Sequence, residues 1–173
     1  MPDIVIETPR LRLRRHRAGD FDNCAALWGD PAVTRYIGGK PMTREESWTR
    51  LLRYVGHWEL LGFGYWVVEE KETGRFAGEA GLAEYRREIE PSIEGVPEAG
   101  WAFVPRVYGR GYATEAVSAA LQWGEAHLPS KRAVCIIQPE NAASIRVAQR
   151  CGFRESGRAT YRAQSLLLMS RGE

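Results

Sequence analysis

The stretch EAGWAFVPRVYGRGYATE, residues 98–115, decides the fold of this chain. It opens with an apolar run that is typical of a β-strand and that ends at Pro105. An Arg-x-x-Gly-x-Gly turn over Arg106–Gly111 follows, and the pattern predicts a helix from near Ala113. A helix N-terminus leaves backbone N–H groups without partners and carries the positive end of the helix dipole, and glycine lets a ligand approach the backbone closely. The stretch therefore predicts an anion site suited to phosphate.

Three interpretations of this glycine turn compete. A dinucleotide-binding fold needs a third glycine and an acidic residue about 20 residues later. The chain has Thr114 at the third glycine position and Lys131-Arg132-Ala133 downstream. The nucleotide P-loop string G-x-x-x-x-G-K-[ST] does not occur in the sequence. The plain alternative is a surface turn, which the preceding strand, the following helix and a second motif disfavour.

That second motif, NAASIRVAQRCGF, occupies residues 141–153. It follows a strand-like run over 133–137, and Asn141 is a residue type that caps helix N-termini. Gly152 stands where a residue with positive φ ends a helix. The motif therefore predicts a second strand-to-helix unit.

The two motifs together resemble a known family. R-x-x-G-x-G-x-A followed by N-x-x-S-x(7)-G-F looks like motifs A and B of the GNAT superfamily of acetyl-CoA-dependent N-acetyltransferases. Residues 8–14, TPRLRLR, are similar to the first strand of its RimJ/RimL-like branch. The resemblance spans nearly the whole chain. It implies an α/β fold with a mixed, mostly antiparallel central sheet flanked by helices, in which the parallel strands 4 and 5 splay apart to admit the cofactor. It also implies one domain over residues 1–173 that uses acetyl-CoA and releases CoA.

Hydrophobic periodicity and capping residues predict the remaining elements. Thr43 and Glu46 form a capping box that opens a helix to about Leu61, and Asp20 is expected to cap a helix that runs to about Trp28. In the N-terminal half we expect one strand over 4–15, a short helix that starts at 30–31, a hairpin of strands 63–69 and 75–85, and a polar loop over 86–97. In the C-terminal half we expect strands over 99–104, 132–137, 153–160 and 163–170, and helices over 113–127 and 141–150.

Composition narrows the class of protein. The chain has 173 residues, 44% of them hydrophobic, and six tryptophans, which favours one folded domain over a disordered chain. A formal net charge of only +2 gives no electrostatic case for binding nucleic acid. The three cysteines form no C-x-x-C pair, so a reducing compartment is expected and a metal site is not. The start of the chain does not resemble a signal peptide and no long apolar run suggests a membrane span, so a cytoplasmic protein is expected. Edge strands would permit a homodimer without requiring one.

The GNAT resemblance also implies which residues hold the cofactor. The splayed strand offers a free backbone N–H between Ala102 and Val104 for the developing oxyanion, and Arg106 and Arg110 bracket the turn and could pair with phosphates. The cofactor-binding residues implied are Phe103, Val104, Arg106, Gly109, Arg110, Gly111, Tyr112, Ala113, Thr114, Asn141 and Ser144.

Catalytic roles follow from the same resemblance. Glu98, at the start of the signature strand, is the expected general base, with Glu79 as the second candidate, and Glu115 is expected to brace the helix. Many members carry a tyrosine seven residues after the motif B asparagine, where this chain has Ala148. The serine of N-x-x-S, Ser144, is then the expected acid, although it could instead cap its own helix.

Three functions are compatible with these patterns. The favoured one is an N-acetyltransferase that acts on a primary amine, either a protein N-terminus or a small molecule. A second is a non-catalytic acyl-CoA-binding module, which Ala148 makes admissible. A third is a ribosome-associated or nucleic-acid-binding protein, which the near-neutral charge disfavours. The sequence does not identify the acceptor.

Overall fold

In a computed structural model, which describes residues 4–172, nine strands form one mixed sheet flanked by helices. The spatial order of the strands is β1-β2-β3-β4-β6-β7-β9-β8-β5. The strands are β1 (Ile6–Glu7), β2 (Leu11–Arg14), β3 (Tyr65–Glu70), β4 (Phe76–Ala83), β5 (Ile89–Glu90), β6 (Glu98–Phe103), β7 (Ala133–Ile137), β8 (Arg154–Tyr161) and β9 (Gln164–Arg171), and the helices are α1 (Phe21–Trp28), α2 (Pro31–Thr34), α3 (Arg44–Leu61), α4 (Tyr112–His127) and α5 (Ala142–Arg150). The fold predicted from the sequence is confirmed.

The first predicted strand is in fact two strands. β1 and β2 pair antiparallel, and Ile6 faces Leu13. The turn between them is closed by Thr8, whose N–H donates to the carbonyl of Leu11 at 2.9 Å and whose hydroxyl accepts from the N–H of Leu11. The prediction of one strand over 4–15 was wrong because alternation alone does not show that the chain reverses at residues 8–10.

The predicted polar loop over 86–97 contains a short strand. In β5, Ile89 pairs with Tyr161 and Glu90 with Thr160, which extends the sheet beyond β8. Two paired residues are too few to produce a recognisable alternation. The loop prediction was wrong for these two positions.

Of two helix caps predicted from the sequence, that of α3 is present and that of α1 is not. The Thr43 hydroxyl accepts from the N–H of Glu46 and the Glu46 carboxylate accepts from the N–H of Thr43, so the predicted capping box is confirmed. Asp20 precedes α1 but does not cap it, because its carboxylate binds Arg14 at 2.7 and 2.8 Å and the N–H of Arg17. A tertiary ion pair therefore replaced the cap that the sequence predicted.

The parallel strands β6 and β7 meet at one end and separate toward the other. Glu98 pairs with Val134, whose N–H donates to the carbonyl of Pro97 at 3.0 Å. No other pair joins these two strands within residues 4–172, whereas β6 has six paired positions with β4 and β7 has five with β9. These are the strands expected to splay, and a gap opens between them.

Side chains of the central strands alternate between the two faces of the sheet, and different helices pack on each face. Ala99, Trp101 and Phe103 of β6 contribute to the main core, where α4 packs. The opposite face carries Glu98, Gly100 and Ala102, the last of which packs with residues of α1 and α2. In the described part of the chain, no helix is both long and apolar enough to cross a membrane.

Candidate active site

The glycine turn has the backbone conformation that the motif predicted. Gly109 and Gly111 have φ of 75° and 77°, which side-chain-bearing residues rarely adopt. α4 begins directly afterwards, and its first helical bond runs from the N–H of Glu115 to the carbonyl of Gly111. Because the N-cap is a glycine, no side chain of its own caps the N–H groups of residues 111–114. These donors, and the open space beside Gly109, are the features of an anion site at a helix N-terminus.

The side chains around this turn converge on a carboxylate that the sequence did not predict. Glu70, at the end of β3, accepts from Arg106 at 2.7 Å, from Arg110 at 2.8 Å and from the hydroxyl of Tyr112 at 3.2 Å. Burial alone raises the pKa of Glu70, but the hydrogen bonds from Arg106 and Tyr112 outweigh it and the pKa lies below its usual value. Both arginines thus pair with Glu70, and no sequence signal marked this contact across 36 and 40 residues.

A second carboxylate joins the turn to the N-terminal strands. Glu115 accepts from the hydroxyl of Thr8 at 2.7 Å and from the N–H and Nε of Arg10 at 2.9 and 2.7 Å. Arg10 also donates to the carbonyl of Arg110. The expected bracing role of Glu115 is therefore confirmed. These hydrogen bonds join the Thr-Pro-Arg segment to the glycine turn and the start of α4.

Hydrogen-bond alternation identifies the free amides of the splayed strand. The N–H of Val104 donates to the carbonyl of Ala77 at 3.0 Å, so residues 102 and 104 direct their amides toward β4. The amides of Trp101 and Phe103 therefore point toward β7, beyond the single pair at Glu98. Within the expected range of Ala102 to Val104, the amide that faces the gap is therefore that of Phe103, and the sequence alone does not show which edge of the strand each amide faces.

The second motif forms the other side of the gap. Asn141 caps α5, as predicted, by accepting from the N–H of Ser144 at 3.2 Å. The hydroxyl of Ser144 is partly exposed and has no hydrogen-bond partner in the described region, so this hydroxyl is not used as a cap. Ala148 is fully buried in the core, and Gly152 ends the helix with a φ of 86°. The motif thus leaves one polar side chain, Ser144, available at the start of α5.

Glu98 lies at the closed end of the gap, held by an arginine. Its carboxylate accepts from Nε and Nη2 of Arg87 at 2.6 and 2.9 Å, and Arg87 also donates to the hydroxyl of Tyr161. The Glu98 side chain is only 8% exposed, whereas that of Arg87 is 23% exposed. Sequence reasoning missed Arg87 because it lies in the segment predicted as a featureless loop.

Glu79, the second candidate base, belongs to a separate buried cluster. Its carboxylate contacts Nε2 of His16 at 3.0 Å and accepts from the indole N–H of Trp28 at 2.8 Å. His16, Cys24 and Glu79 place three potential metal-ligand atoms within 4.8 Å of one another. Burial raises the pKa of the Cys24 thiol well above its usual value, which opposes the thiolate that a metal would require. The hydrogen bonds of Glu79 stabilise the packing of α1 on the sheet.

An aromatic stack lies on the same face of the sheet as these carboxylates. Tyr65 of β3 stacks on Tyr54 of α3 with ring centroids 4.7 Å apart. A Cβ at Gly100 would lie 1.9 Å from the hydroxyl oxygen of Tyr65, so only glycine fits beneath it. The tyrosine hydroxyl therefore lies directly over β6, between Glu98 and Ala102.

Comparison with known proteins gives one consistent answer. The sequence profile of the family described as "Acetyltransferase (GNAT) domain" matches residues 10–154. The protein named "Uncharacterized protein YkkB" of Bacillus subtilis is 35% identical over 157 residues, covering 86% of this chain and 84% of that protein. The "Uncharacterized N-acetyltransferase p20" of Bacillus licheniformis is 28% identical over 154 residues, covering 88% and 84%.

A solved structure extends the similarity to the whole fold. The putative GNAT-family acetyltransferase from Bordetella pertussis superposes with a TM-score of 0.85 at 30% identity, over 98% of this chain and 99% of that one. The shared fold, the unpaired amides of the glycine turn and the gap between β6 and β7 all suit an acyl-CoA. The chain therefore belongs to the GNAT acetyltransferase family and is an acetyl-CoA-dependent N-acetyltransferase.

Proposed function

We propose that this enzyme acetylates a primary amine, on a peptide N-terminus or a small molecule, by direct attack of the amine on the thioester. In that reaction the new C–N bond forms as the C–S bond breaks, one proton leaves the nitrogen, and CoA departs. The supporting observation is that a buried carboxylate, Glu98, begins the splayed strand, and that a glycine turn with uncapped N–H groups, residues 109–114, follows the other end of that strand.

Acetyl-CoA supplies the activated acyl group, and the backbone of this chain supplies the donors. The N–H groups of residues 111–114 bind the pyrophosphate. The amides of Trp101 and Phe103 face the gap and would bind the pantetheine arm and the developing oxyanion. Orientation of this kind contributes roughly 7–11 kcal/mol to such reactions.

Glu98 is the proposed proton acceptor. An alkylamine with a pKa of ~10.4 is deprotonated only about one part in a thousand at neutral pH, so a base is useful. Both oxygens of Glu98 already accept from Arg87, but a carboxylate has about four lone-pair positions and retains capacity for a water. We therefore propose that the proton reaches Glu98 through water rather than by direct contact.

Ser144 is the proposed hydrogen-bond donor to the departing sulfur. Its hydroxyl is unused in the described region, while its backbone N–H is fixed by Asn141. A thiolate with a pKa near ~8.5 needs little help to leave, so the contribution is expected to be small.

Two measurements test the proposed function together. Acetyl-CoA at millimolar concentration should raise Tm, because it binds the folded state only. Release of CoA thiol should then depend on an added amine. An unmoved Tm would contradict the cofactor site, whereas a raised Tm with no thiol release from any peptide or small amine would contradict the acceptor assignment.

A further inference from the structure

Two arginines of α3 face the aromatic stack and are paired with no carboxylate in the described region. Arg53 and Tyr54 follow Arg50 by three and four residues and so share its side of the helix, and the Arg53 guanidinium lies 5.9 Å from the ring centroid of Tyr54. The guanidinium of Arg50 lies 3.8 Å from the ring centroid of Trp28, and its Nη1 donates to the Tyr54 hydroxyl at 2.9 Å. That of Arg53 lies 4.7 Å from the ring centroid of Tyr85.

Contacts between aromatic rings connect these guanidinium groups to the splayed strand β6. Tyr54 stacks on Tyr65, whose hydroxyl covers Gly100 of the splayed strand. Tyr85, on which Arg53 lies, is 6.4 Å from Tyr65 between ring centroids. Gly100 and Tyr85 are both partly exposed, so this cluster is accessible to solvent.

The nearby carboxylates do not neutralise the two arginines directly. Glu98 is occupied by Arg87, and Glu79 by His16 and Trp28. Nε of Arg50 is buried and has no hydrogen-bond partner in the described region. A buried donor without an acceptor is uncommon, so the Arg50 guanidinium has more donors than acceptors around it.

Arg50 nevertheless remains charged. Burial alone lowers its pKa, but Tyr54 and the charge of Glu79 more than compensate, so the pKa lies above its usual value. A guanidinium matches a carboxylate with two parallel hydrogen bonds. The same charges would repel a polyamine and would lower the pKa of an acceptor amine held beside them, which favours the neutral, reactive form.

We propose that the acceptor of this enzyme is an amine that also carries a carboxylate, and that Arg50 and Arg53 bind that carboxylate. The proposal rests on the proposed function and specifies its substrate class. An amino acid and an acidic peptide share the required chemistry.

Thiol release with matched acceptors tests the proposal. An amino acid is compared with its carboxamide, a peptide bearing Asp-Glu after its N-terminal residue with the same peptide bearing Lys-Lys, and spermidine serves as the polycation. We expect kcat/KM at least about tenfold higher for the carboxylate member of one pair or both, and lowest for spermidine. Preference in the first pair identifies a small-molecule acceptor, and preference only in the second identifies a peptide.

Variants then locate the effect. Arg53→Glu, at an exposed position, should reverse the preference and raise KM for the carboxylate acceptor about tenfold with kcat little changed. Arg50→Met should remove the preference. Arg44→Met is the matched control. This α3 arginine also lies on an aromatic ring, but that ring is Phe21, and its guanidinium is paired with Asp22. The acetyl-CoA-induced rise in Tm should persist in all three, which shows that each is folded.

The outcomes separate the two proposals. Equal turnover within both pairs, better turnover of spermidine, or an unchanged preference in Arg53→Glu would overturn the carboxylate assignment and leave the acetyltransferase assignment intact. Absence of turnover with every amine would contradict the proposed acceptor reaction. In that case, binding to the enzyme with CoA decides the inference, since the Asp-Glu peptide must raise Tm more than the Lys-Lys peptide.

Discussion

The turn proposed to bind phosphate and the face proposed to receive the acceptor are built from different parts of the polypeptide. The turn over 109–114 uses backbone N–H groups supplied by one continuous segment. The proposed acceptor face uses side chains of α3, β3 and the segment after β4, which lie around Gly100 of β6: Arg50, Arg53, Tyr54, Tyr65 and Tyr85. A backbone site depends on few residue identities, whereas a side-chain site changes whenever one contributing element changes.

This difference assigns separate tasks to the two regions. Any acyl-CoA presents the same diphosphate, which suits a site made of peptide groups with glycine at the positive-φ positions. Acceptor choice requires discrimination, and side chains provide both attraction and repulsion. The predictions below test whether each region performs only its own task.

The largest effect is expected from Gly111→Asp, which attacks the backbone site. The residue has a φ of 77°, and a carboxylate there would repel the diphosphate by about 3–4 kcal/mol at ~4–5 Å and an effective dielectric of ~20. We expect kcat/KM for acetyl-CoA to fall roughly 100- to 1000-fold and the acetyl-CoA-induced rise in Tm to disappear. Gly39→Asp is the control, because Gly39 has the same φ and open space around it. A normal acetyl-CoA response in Gly111→Asp would place the diphosphate elsewhere.

Next in size is Glu98→Gln, compared with Glu79→Gln on the same sheet face. If Glu98 accepts the proton, kcat should fall about 100-fold while the acetyl-CoA-induced rise in Tm is kept. Glu79→Gln should instead lower Tm, because it weakens the contact with His16, and should leave kcat of the folded enzyme nearly unchanged. The reverse result in steady-state assays would make Glu79 the base.

A smaller loss of activity is expected for Ser144→Ala. Comparing it with Asn141→Ala distinguishes the catalytic role of the serine hydroxyl from the structural role of the helix cap. The hydroxyl has no partner in the described region, so Tm should hardly move while kcat falls about tenfold, in line with a weak need for acid assistance. Asn141→Ala removes the helix cap and should cost about 1 kcal/mol of stability. Full activity in Ser144→Ala would remove the serine from the mechanism.

The smallest effect on activity is expected for Glu70→Gln, which should instead change how stability depends on pH. The pKa of Glu70 is depressed in the folded protein, so its contribution is present above the pKa of the unfolded chain and is lost as pH falls through the folded pKa. The variant should be about 1–2 kcal/mol less stable than the parent at pH 7, and the gap should close in acid. Urea unfolding at pH 7 and at low pH measures it, and a constant gap would show that Glu70 acts through packing alone.

Local signals predicted local features correctly. The Thr43 capping box, the Asn141 cap and the positive φ of Gly109 and Gly111 each depend on residues within a few positions of one another. The gap between β6 and β7 came from the family resemblance carried by two such motifs, and the strand pairing confirms it.

The pairing of charged side chains was the feature missed. Asp20 was predicted to cap α1, but its oxygens bind Arg14, six residues earlier, and the N–H of Arg17, three residues earlier. Arg106 and Arg110 were expected to pair with phosphates, and the sequence did not show that Glu70 of β3 pairs with both. A charged side chain pairs with whatever opposite charge folding places beside it, and sequence spacing does not record that neighbour.

The sequence by itself determined the glycine turn, the caps at Thr43 and Asn141 and the family, because each of these depends on short stretches of backbone with few conformational choices. Only the tertiary structure decided which amides of β6 face the gap, which carboxylates are already paired, and that Arg50 and Arg53 pair with no carboxylate within residues 4–172. The physical reason is that strand register and helix packing, rather than neighbouring residues, determine the surroundings of these groups.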